Sequence, residues 1–446
     1  MIVPPELINE LSTIPSFNKE AFVRVHQSGE RVTSIRVNPG KPVPVPDEAT
    51  PVPWCDRGYY LQRRPSFTFD PLFHAGTYYV QEASSMFLAQ LVKHFFPADR
   101  AIIALDLCAA PGGKSTHLQS LLNKQSLLVC NEVIRTRVNI LKENLVKWGC
   151  ENVVISQNDP RDFSSLPGFF DLILVDAPCS GSGLFRRDPD AIEEWSERQV
   201  ETCAQRQHRI LTDVLPALKE NGILIYSTCS YSVQENEAII DWLTDNHPLR
   251  LESIPVDPDW KIIDTGKGYR FWPNLLMGEV LFMAALRRQE GSDSLDIPET
   301  KNIPQLSTKD IQAIREFMDS SEKRLLRIGT RIHAFPANLV NEITFLMKKL
   351  RTTLTGLTVG ELIHNKLIPD HALSMSGLVN VSIERIDLKE EPAIRYLQRK
   401  EISASTSLGW KLVSFHQQPL GWAKVIQNRI NNYYPVELRI RKERPD

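Results

Sequence analysis

From about Tyr78 to Leu286, short apolar runs rich in β-branched residues alternate with stretches of helical periodicity. The runs are Ala101 to Leu107, Leu127 to Cys130, Asn152 to Ser156, Asp171 to Val175, Ile223 to Ser227 and Val280 to Ala285. Strands separated by helix-length segments pair through crossovers, so this pattern predicts an α/β domain on a doubly wound, Rossmann-like parallel sheet. Such a sheet binds its ligands in the loops at the carboxyl ends of its strands, and the residues directly after each run are the first to inspect.

The 446 residues exceed one ordinary core, and length alone favours about three domains. Pro4 to Pro53 passes from a helical pattern through Thr33-Ser-Ile-Arg-Val37 into a proline-rich loop. Arg287 to Thr308 is polar and reads as a linker. Beyond it, Asp310 to Met318 reads as a helix, Leu325 to Ala334 as a single strand and Asn338 to Leu350 as a second helix. The expected units are therefore a small N-terminal α+β RNA-binding module (1–75), the central domain (76–290), a linker with a small α+β unit (291–380) and a terminal unit (381–446). A net charge of −2 leaves any nucleic-acid contact to local patches. From Glu391 onward ten Lys/Arg face five Asp/Glu, interleaved with Tyr396, Trp410, Phe415, Trp422, Tyr433 and Tyr434. Basic plus aromatic is an RNA-binding combination, although aromatics at strand spacing also make ordinary core.

Seven cysteines without a Cys-x-x-Cys pair, and no secretory segment after Met1, predict reduced thiols in a cytoplasmic protein. No metal site is expected from ten scattered histidines, and no apolar run is long enough to span a membrane.

After the first run comes Cys108-Ala109-Ala110-Pro111-Gly112-Gly113-Lys114, a strand-to-helix turn whose glycines let backbone approach a ligand and whose helix start favours a carboxylate, helped by Lys114. A phosphate-binding loop would need glycine where Cys108 stands. Glu132 lies 20 residues after Gly112, the offset of a ribose-binding acid, and Asp159 follows the third run, where it could receive an adenine amino group. Together these imply an adenosine-bearing cofactor without a phosphate clamp. Asp176-Ala-Pro-Cys179 follows the fourth run and Ser227-Thr-Cys229 the fifth, which brings two thiols to the same sheet edge. A thiolate is a strong carbon nucleophile, so the pair suggests covalent catalysis on an electron-poor ring.

These three motifs in this order resemble the NOL/NOP/SUN RNA 5-methylcytosine methyltransferases, and Gln81-Glu-Ala-Ser-Ser85 is similar to that family's motif before the cofactor strand. The resemblance implies a class I methyltransferase fold and S-adenosylmethionine held by Cys108 to Lys114, Glu132, Asp159 and Asp176. Pro419-Leu-Gly-Trp-Ala-Lys424 with Asn431-Asn-Tyr-Tyr-Pro435 resembles the C-terminal PUA-like RNA-binding domain of bacterial enzymes of the ribosomal small-subunit methyltransferase F type. That favours small-subunit rRNA as partner over tRNA, with no DNA or membrane partner and a monomer expected.

Attack of a thiolate at C6 of cytosine would push electron density onto C5, and Asp176 could hold or protonate N3. The residues alone leave open which cysteine attacks, because Cys179 follows a proline as the nucleophile of DNA cytosine methyltransferases does. The resemblance implies Cys229 as nucleophile and Cys179 in product release. Arg63-Arg64 and Arg186-Arg187 are candidate phosphate contacts. A tRNA substrate, or a non-catalytic RNA-binding assembly factor, remains as an alternative.

Overall fold

A computed structural model describes residues 3–188, 190–291, 295–300, 305–403, 405–427 and 429–443. Parts of the predicted linker, 292–294 and 301–304, and the last three residues of the terminal unit lie outside the described residues.

The N-terminal module carries helices Pro5–Leu11 and Lys19–Gln27 and strands β1 (Thr33–Val37), β2 (Thr50–Pro51), β3 (Gly58–Leu61) and β4 (Tyr78–Val80) in the order β2-β3-β1-β4. Its sheet thus runs past residue 75, the expected end of the module.

The centre is a sheet of parallel strands β5 (Ile103–Asp106), β6 (Leu127–Asn131), β7 (Val153–Ser156), β8 (Phe170–Asp176) and β9 (Leu218–Thr228). Antiparallel β10 (Leu249–Glu252), β11 (Ile263–Asp264), β12 (Tyr269–Phe271) and β13 (Leu281–Arg288) complete one side. Every residue of β6 and β7 is buried, as expected of strands covered by helices on both faces. The crossover helices obey local rules: Ser196 caps Glu197–Val214 by accepting from the Gln199 amide, and Gly149 ends Arg135–Trp148 in the left-handed region at φ 93°.

Two features depart from the sequence reading. Leu325 to Ala334 is a hairpin rather than one strand: β14 (Lys323–Ile328) and β15 (Arg331–Pro336) turn at Gly329, whose φ is 61°. The segment after the linker is also not a separate layer. Its β16 (Thr352–Thr355) pairs antiparallel with β7 and so extends the central sheet, before β17 (Leu357–Ile363) and β18 (Lys366–Pro369) join the hairpin. An exposed β7 edge would present a row of unpaired backbone groups, which β16 satisfies. The terminal unit is a four-stranded sheet, β19 (Arg385–Leu388), β20 (Gly409–Phe415), β21 (Gln418–Ile426) and β22 (Arg429–Asn432), packed on helix Glu390–Leu397.

Candidate active site

The β5 strand ends at Asp106, the chain turns through Cys108–Gly112, and a helix begins at Gly113. Gly112 has φ 113°, a backbone setting that glycine adopts without strain. Asp106 is fully buried; its Oδ2 accepts from Ser115 Oγ at 2.6 Å, whereas Oδ1 has no hydrogen-bond partner. Burial, against the opposing Ser115 hydrogen bond, pushes its pKa up to about 7. Burial also raises the Cys108 thiol, which keeps it protonated and unreactive.

The turn is held from outside by Arg137 Nη2 donating to Ala110 O at 2.6 Å, by Asn144 donating to Pro111 O at 2.8 Å, and by the Ala109 amide donating to Asn131 O. Glu132, at the end of β6, is buried; Oε1 accepts from the Ile134 amide, and Oε2 lies 3.3 Å from Arg137 Nη1 without a hydrogen bond. Two buried carboxylate oxygens beside one glycine turn therefore lack donors. Such groups are costly unless satisfied, and a ligand bearing an amino group and ribose hydroxyls satisfies both. S-adenosylmethionine has that chemistry, so the residues present fit it.

Asp159 stands at the edge of this site. It caps the turn Pro160–Ser165, accepting from the Arg161 amide at 3.2 Å, and its other oxygen lies 3.4 Å from Arg209. Lys114 Nζ is 2.9 Å from Asp176 Oδ1, which also accepts from Ser227 Oγ at 2.8 Å. Burial pulls the Lys114 pKa down, but Asp176 more than offsets this and the net shift is upward. The ammonium is kept.

Beyond that ion pair the structure brings Cys179 and Cys229 together, with their sulfurs 3.1 Å apart. Cys229 is exposed, Cys179 is half-buried, and both are free thiols. The hydrogen bond from Cys179 pulls Cys229 below the ordinary thiol range, and Lys114 adds to this against burial and the Asp176 charge. The same bond, with burial, drives Cys179 well above that range. One sulfur is poised as thiolate and its neighbour as proton donor.

Several residues that sequence reasoning missed hold this arrangement. Gly183 donates its amide to Cys229 O at 2.9 Å, and a Cβ there would lie 2.2 Å from that oxygen. Glu235, fully buried, accepts from the Ser180 amide and hydroxyl and from the Ser230 hydroxyl. The N-terminal helices pack behind both loops: Glu10 accepts from Ser232 Oγ and the Val233 amide, and His26 Nε2 meets Tyr231 Oη at 3.2 Å. The run Gln234-Glu235-Asn236-Glu237 carries no spacing signal by itself; only the fold shows that it leads into helix Glu237–Asn246 next to both cysteines.

Other sequence expectations are corrected. Arg186 is not a phosphate contact, because it is buried, lies 3.0 Å from Glu279 and donates to Gly278 O and Glu30 O. Arg187, half-exposed, also reaches Glu279, at 3.4 Å. Arg63 and Arg64 are exposed, and Arg64 lies over the Phe67 ring. Of the terminal aromatics, Tyr396, Phe415, Trp422 and Tyr434 are core, while Trp410 and Tyr433 stay accessible with Lys424 over the Trp410 ring. In the segment 81–85, Gln81 accepts from Arg36 Nε and donates to Ser85 Oγ, while Arg36 also donates to Thr116 Oγ1 and so ties the N-terminal sheet to the cofactor helix. Among the described residues no cluster suited to a metal ion occurs, and no helix is long and apolar enough to cross a membrane.

Comparison with known proteins agrees with this geometry. The family model for 16S rRNA methyltransferase RsmB/F matches residues 95–287, that for the N-terminal domain of 16S rRNA methyltransferase RsmF matches 3–83, and that for the methyltransferase RsmF PUA domain matches 384–440. The chain is 31% identical over 415 residues to a ribosomal RNA small subunit methyltransferase F from Psychromonas ingrahamii, covering 87% of this chain and 85% of the relative. It is 32% identical over 413 residues to that of Escherichia coli, covering 87% and 84%. Among solved structures, a methyltransferase homolog protein from Pyrococcus horikoshii superposes with TM-score 0.51 at 27% identity, covering 64% of this chain and all of that one. NSun6 from the same organism gives TM-score 0.53 at 21% identity, covering 64% and 98%, and shares the fold.

Proposed function

The chain belongs to the 16S rRNA methyltransferases of the RsmF type, and from that premise we propose that it methylates C5 of a cytosine in small-subunit ribosomal RNA, with Cys229 adding to C6 and Cys179 assisting release. The observation that supports these roles is the 3.1 Å contact between the half-buried Cys179 sulfur and the exposed Cys229 sulfur, beside the Lys114–Asp176 pair.

Asp106 and Glu132 would hold the cofactor's amino group and ribose, with Asp159 at the rim. When bound, S-adenosylmethionine supplies a methyl group on a positively charged sulfur. Cys229, exposed, attacks C6 and forms a C–S bond, which moves an electron pair toward C5 and leaves negative charge around N3. The Lys114–Asp176 pair keeps a proton within reach of N3 and so stabilises that charge. Loss of the C5 proton to solvent at this exposed site, with the electron pair of the C6–S bond returning to the Cys229 sulfur, then restores the aromatic ring. Cys179, in contact with the departing sulfur, assists this step.

The target base must leave its stack to reach the sulfur, at a cost of a few kcal/mol that is smallest in unpaired segments. Arg63, Arg64 and the accessible Trp410–Tyr433 pair serve RNA contact in this reading. The protein acts on RNA rather than DNA, as a monomer in the cytoplasm.

The test is nucleoside mass spectrometry after incubation with S-adenosylmethionine and naked rRNA, assembled small subunits or tRNA. We expect 5-methylcytosine in rRNA, loss of methylation in Cys229→Ala, and a covalent protein–RNA adduct on a denaturing gel for Cys179→Ala. Adduct formation by the Cys229 variant alone reverses the roles. Unchanged methylation in that variant refutes covalent catalysis by Cys229, and methyl groups on tRNA alone refute the substrate.

A further inference from the structure

The Glu235 carboxylate lies beneath the two cysteine loops and is fully buried, yet no cation pairs with it among the described residues. Its Oε1 accepts from the Ser180 amide at 2.8 Å and from Gln207 Nε2 at 3.2 Å; its Oε2 accepts from Ser180 Oγ and Ser230 Oγ, each at 2.5 Å. Ser180 directly follows Cys179 and Ser230 directly follows Cys229. Gln207 also donates to Pro178 O at 3.0 Å, so the residue before Cys179 joins the same knot. The Glu235 carbonyl in turn accepts from Tyr226 Oη at 2.7 Å, which fixes the carboxylate's own backbone to β9.

Four donors on one carboxylate use nearly all of its acceptor capacity, and three come from residues adjacent to the two thiols. A short buried acid held only by neutral donors is costly to bury, and it is tolerated where the surroundings over-determine it. An apolar residue of similar volume would fill the space more cheaply but would hold neither loop. The two loops arise from different strands, β8 and β9, and Glu235 bonds to both, beside the direct contacts of Ser180 and Ser182 with Ser230 and of the Tyr231 amide with Ser182 Oγ.

Building on the covalent reading above, we propose that Glu235 is a positioning residue for the reaction, which clamps the Cys179 and Cys229 loops so that the two sulfurs stay in contact through attack and release. It touches neither substrate nor cofactor. Its contribution is alignment: a displacement of about 1 Å at the reacting atoms costs about a hundred-fold in rate.

The experiment reads alignment in two independent ways on the full-length protein. Diamide oxidises neighbouring thiols to a disulfide, both thiols losing hydrogen to the diazene, which becomes a hydrazine; the rate of Cys179–Cys229 cross-linking, followed by mass spectrometry, reports sulfur proximity without RNA. Methyl transfer gives kcat and KM. For Glu235→Gln, which keeps the volume and removes two acceptor positions, we expect slower cross-linking than wild type, kcat lower by about a hundred-fold, and KM for RNA and S-adenosylmethionine unchanged. Ser180→Ala, which removes the hydroxyl bond to the carboxylate and leaves the amide bond, gives the same pattern more weakly and stands in should Glu235→Gln fail to fold. Wild-type cross-linking and kcat in the folded variant overturn the proposal, as does a raised KM at unchanged kcat. Absence of cytosine methylation by the wild-type protein sinks the covalent reading instead, and the cross-linking comparison still decides whether Glu235 clamps the loops.

Discussion

Gly183 offers the sharpest test of whether the placement of Cys229 limits the reaction. Its amide bonds the Cys229 carbonyl at 2.9 Å, and a Cβ built there would lie 2.2 Å from that oxygen and 2.6 Å from Val280 Cγ1. The side chain in Gly183→Ala cannot remain there, because carbon and oxygen need roughly 1 Å more to reach van der Waals contact. Val280 is buried core, and Gly183 is itself in the turn that carries Cys179, so the strain falls on the Cys229 backbone or on the Cys179 loop. Either way the sulfurs move by about the amount that costs a hundred-fold in rate, or about 2.7 kcal/mol of barrier. The assay is methyl transfer to small-subunit rRNA under saturating S-adenosylmethionine, with circular dichroism and cofactor titration as controls. We expect kcat to fall about a hundred-fold while cofactor affinity holds, since the Asp106–Glu132 side of the site is untouched. A folded Gly183→Ala protein with near wild-type kcat refutes the claim that this close approach sets the thiol geometry.

Asp106→Asn should weaken S-adenosylmethionine binding by about ten- to a hundred-fold, the value of a charge-assisted hydrogen bond, as measured by calorimetry. Because burial raises the Asp106 pKa to about 7, the carboxylate that a cationic amino group needs is lost as pH falls through that value, so wild-type affinity should drop on acidification; pH-independent binding contradicts this. Iodoacetamide should alkylate Cys229 with a rate that rises at lower pH than for an ordinary thiol, and Cys179→Ala should move that rise to higher pH by removing the donor; an unmoved profile tells against the shared proton. Arg186→Met strands buried Glu279 with only Arg187 nearby, and denaturant unfolding should show a loss of about 3 kcal/mol, whereas the salt dependence of RNA binding should not change.

The parallel strands of the central sheet were legible because burial on both faces writes continuous apolar runs, and each run ended within a few residues of its strand, but Val280 to Ala285 became antiparallel β13, and β10, β11 and β12 were not read. The three motifs could be placed at one sheet edge for the same reason: residues after parallel strands share that edge whatever their spacing in the chain. Hydrogen bonding to side chains was not legible. Nothing in Gly-Lys-Ser shows that Lys114 turns to Asp176 rather than outward, and an Arg-Arg pair reads as solvated until Glu279 arrives from a segment over 90 residues away. Glu235 had no pattern at all, since its partners Ser180 and Ser230 lie in separate loops. Strand β16 escaped notice because Thr352-Thr-Leu-Thr is short and its pairing with β7 joins residues far apart in sequence. The hairpin at Gly329 could have been read from its glycine, flanked as it is by apolar and β-branched residues.

The way the outer modules attach bears on how RNA reaches the crevice. Arg36, on β1 of the N-terminal module, is 1% exposed; it donates to Gln81 Oε1, to Thr116 Oγ1 and to Gly113 O at the start of the cofactor helix. Lys41 is also buried and donates to Ala75 O and to Lys147 O at the end of Arg135–Trp148. Neither cation meets a carboxylate in these contacts, so each is satisfied by groups that come from both sides of the junction, and separating the module would leave carbonyls and charge unpaired together. At the β7 edge of the central sheet β16 is joined by backbone pairing. Moving either of these modules therefore requires breaking these bonds, which a domain on a free linker would not have to do.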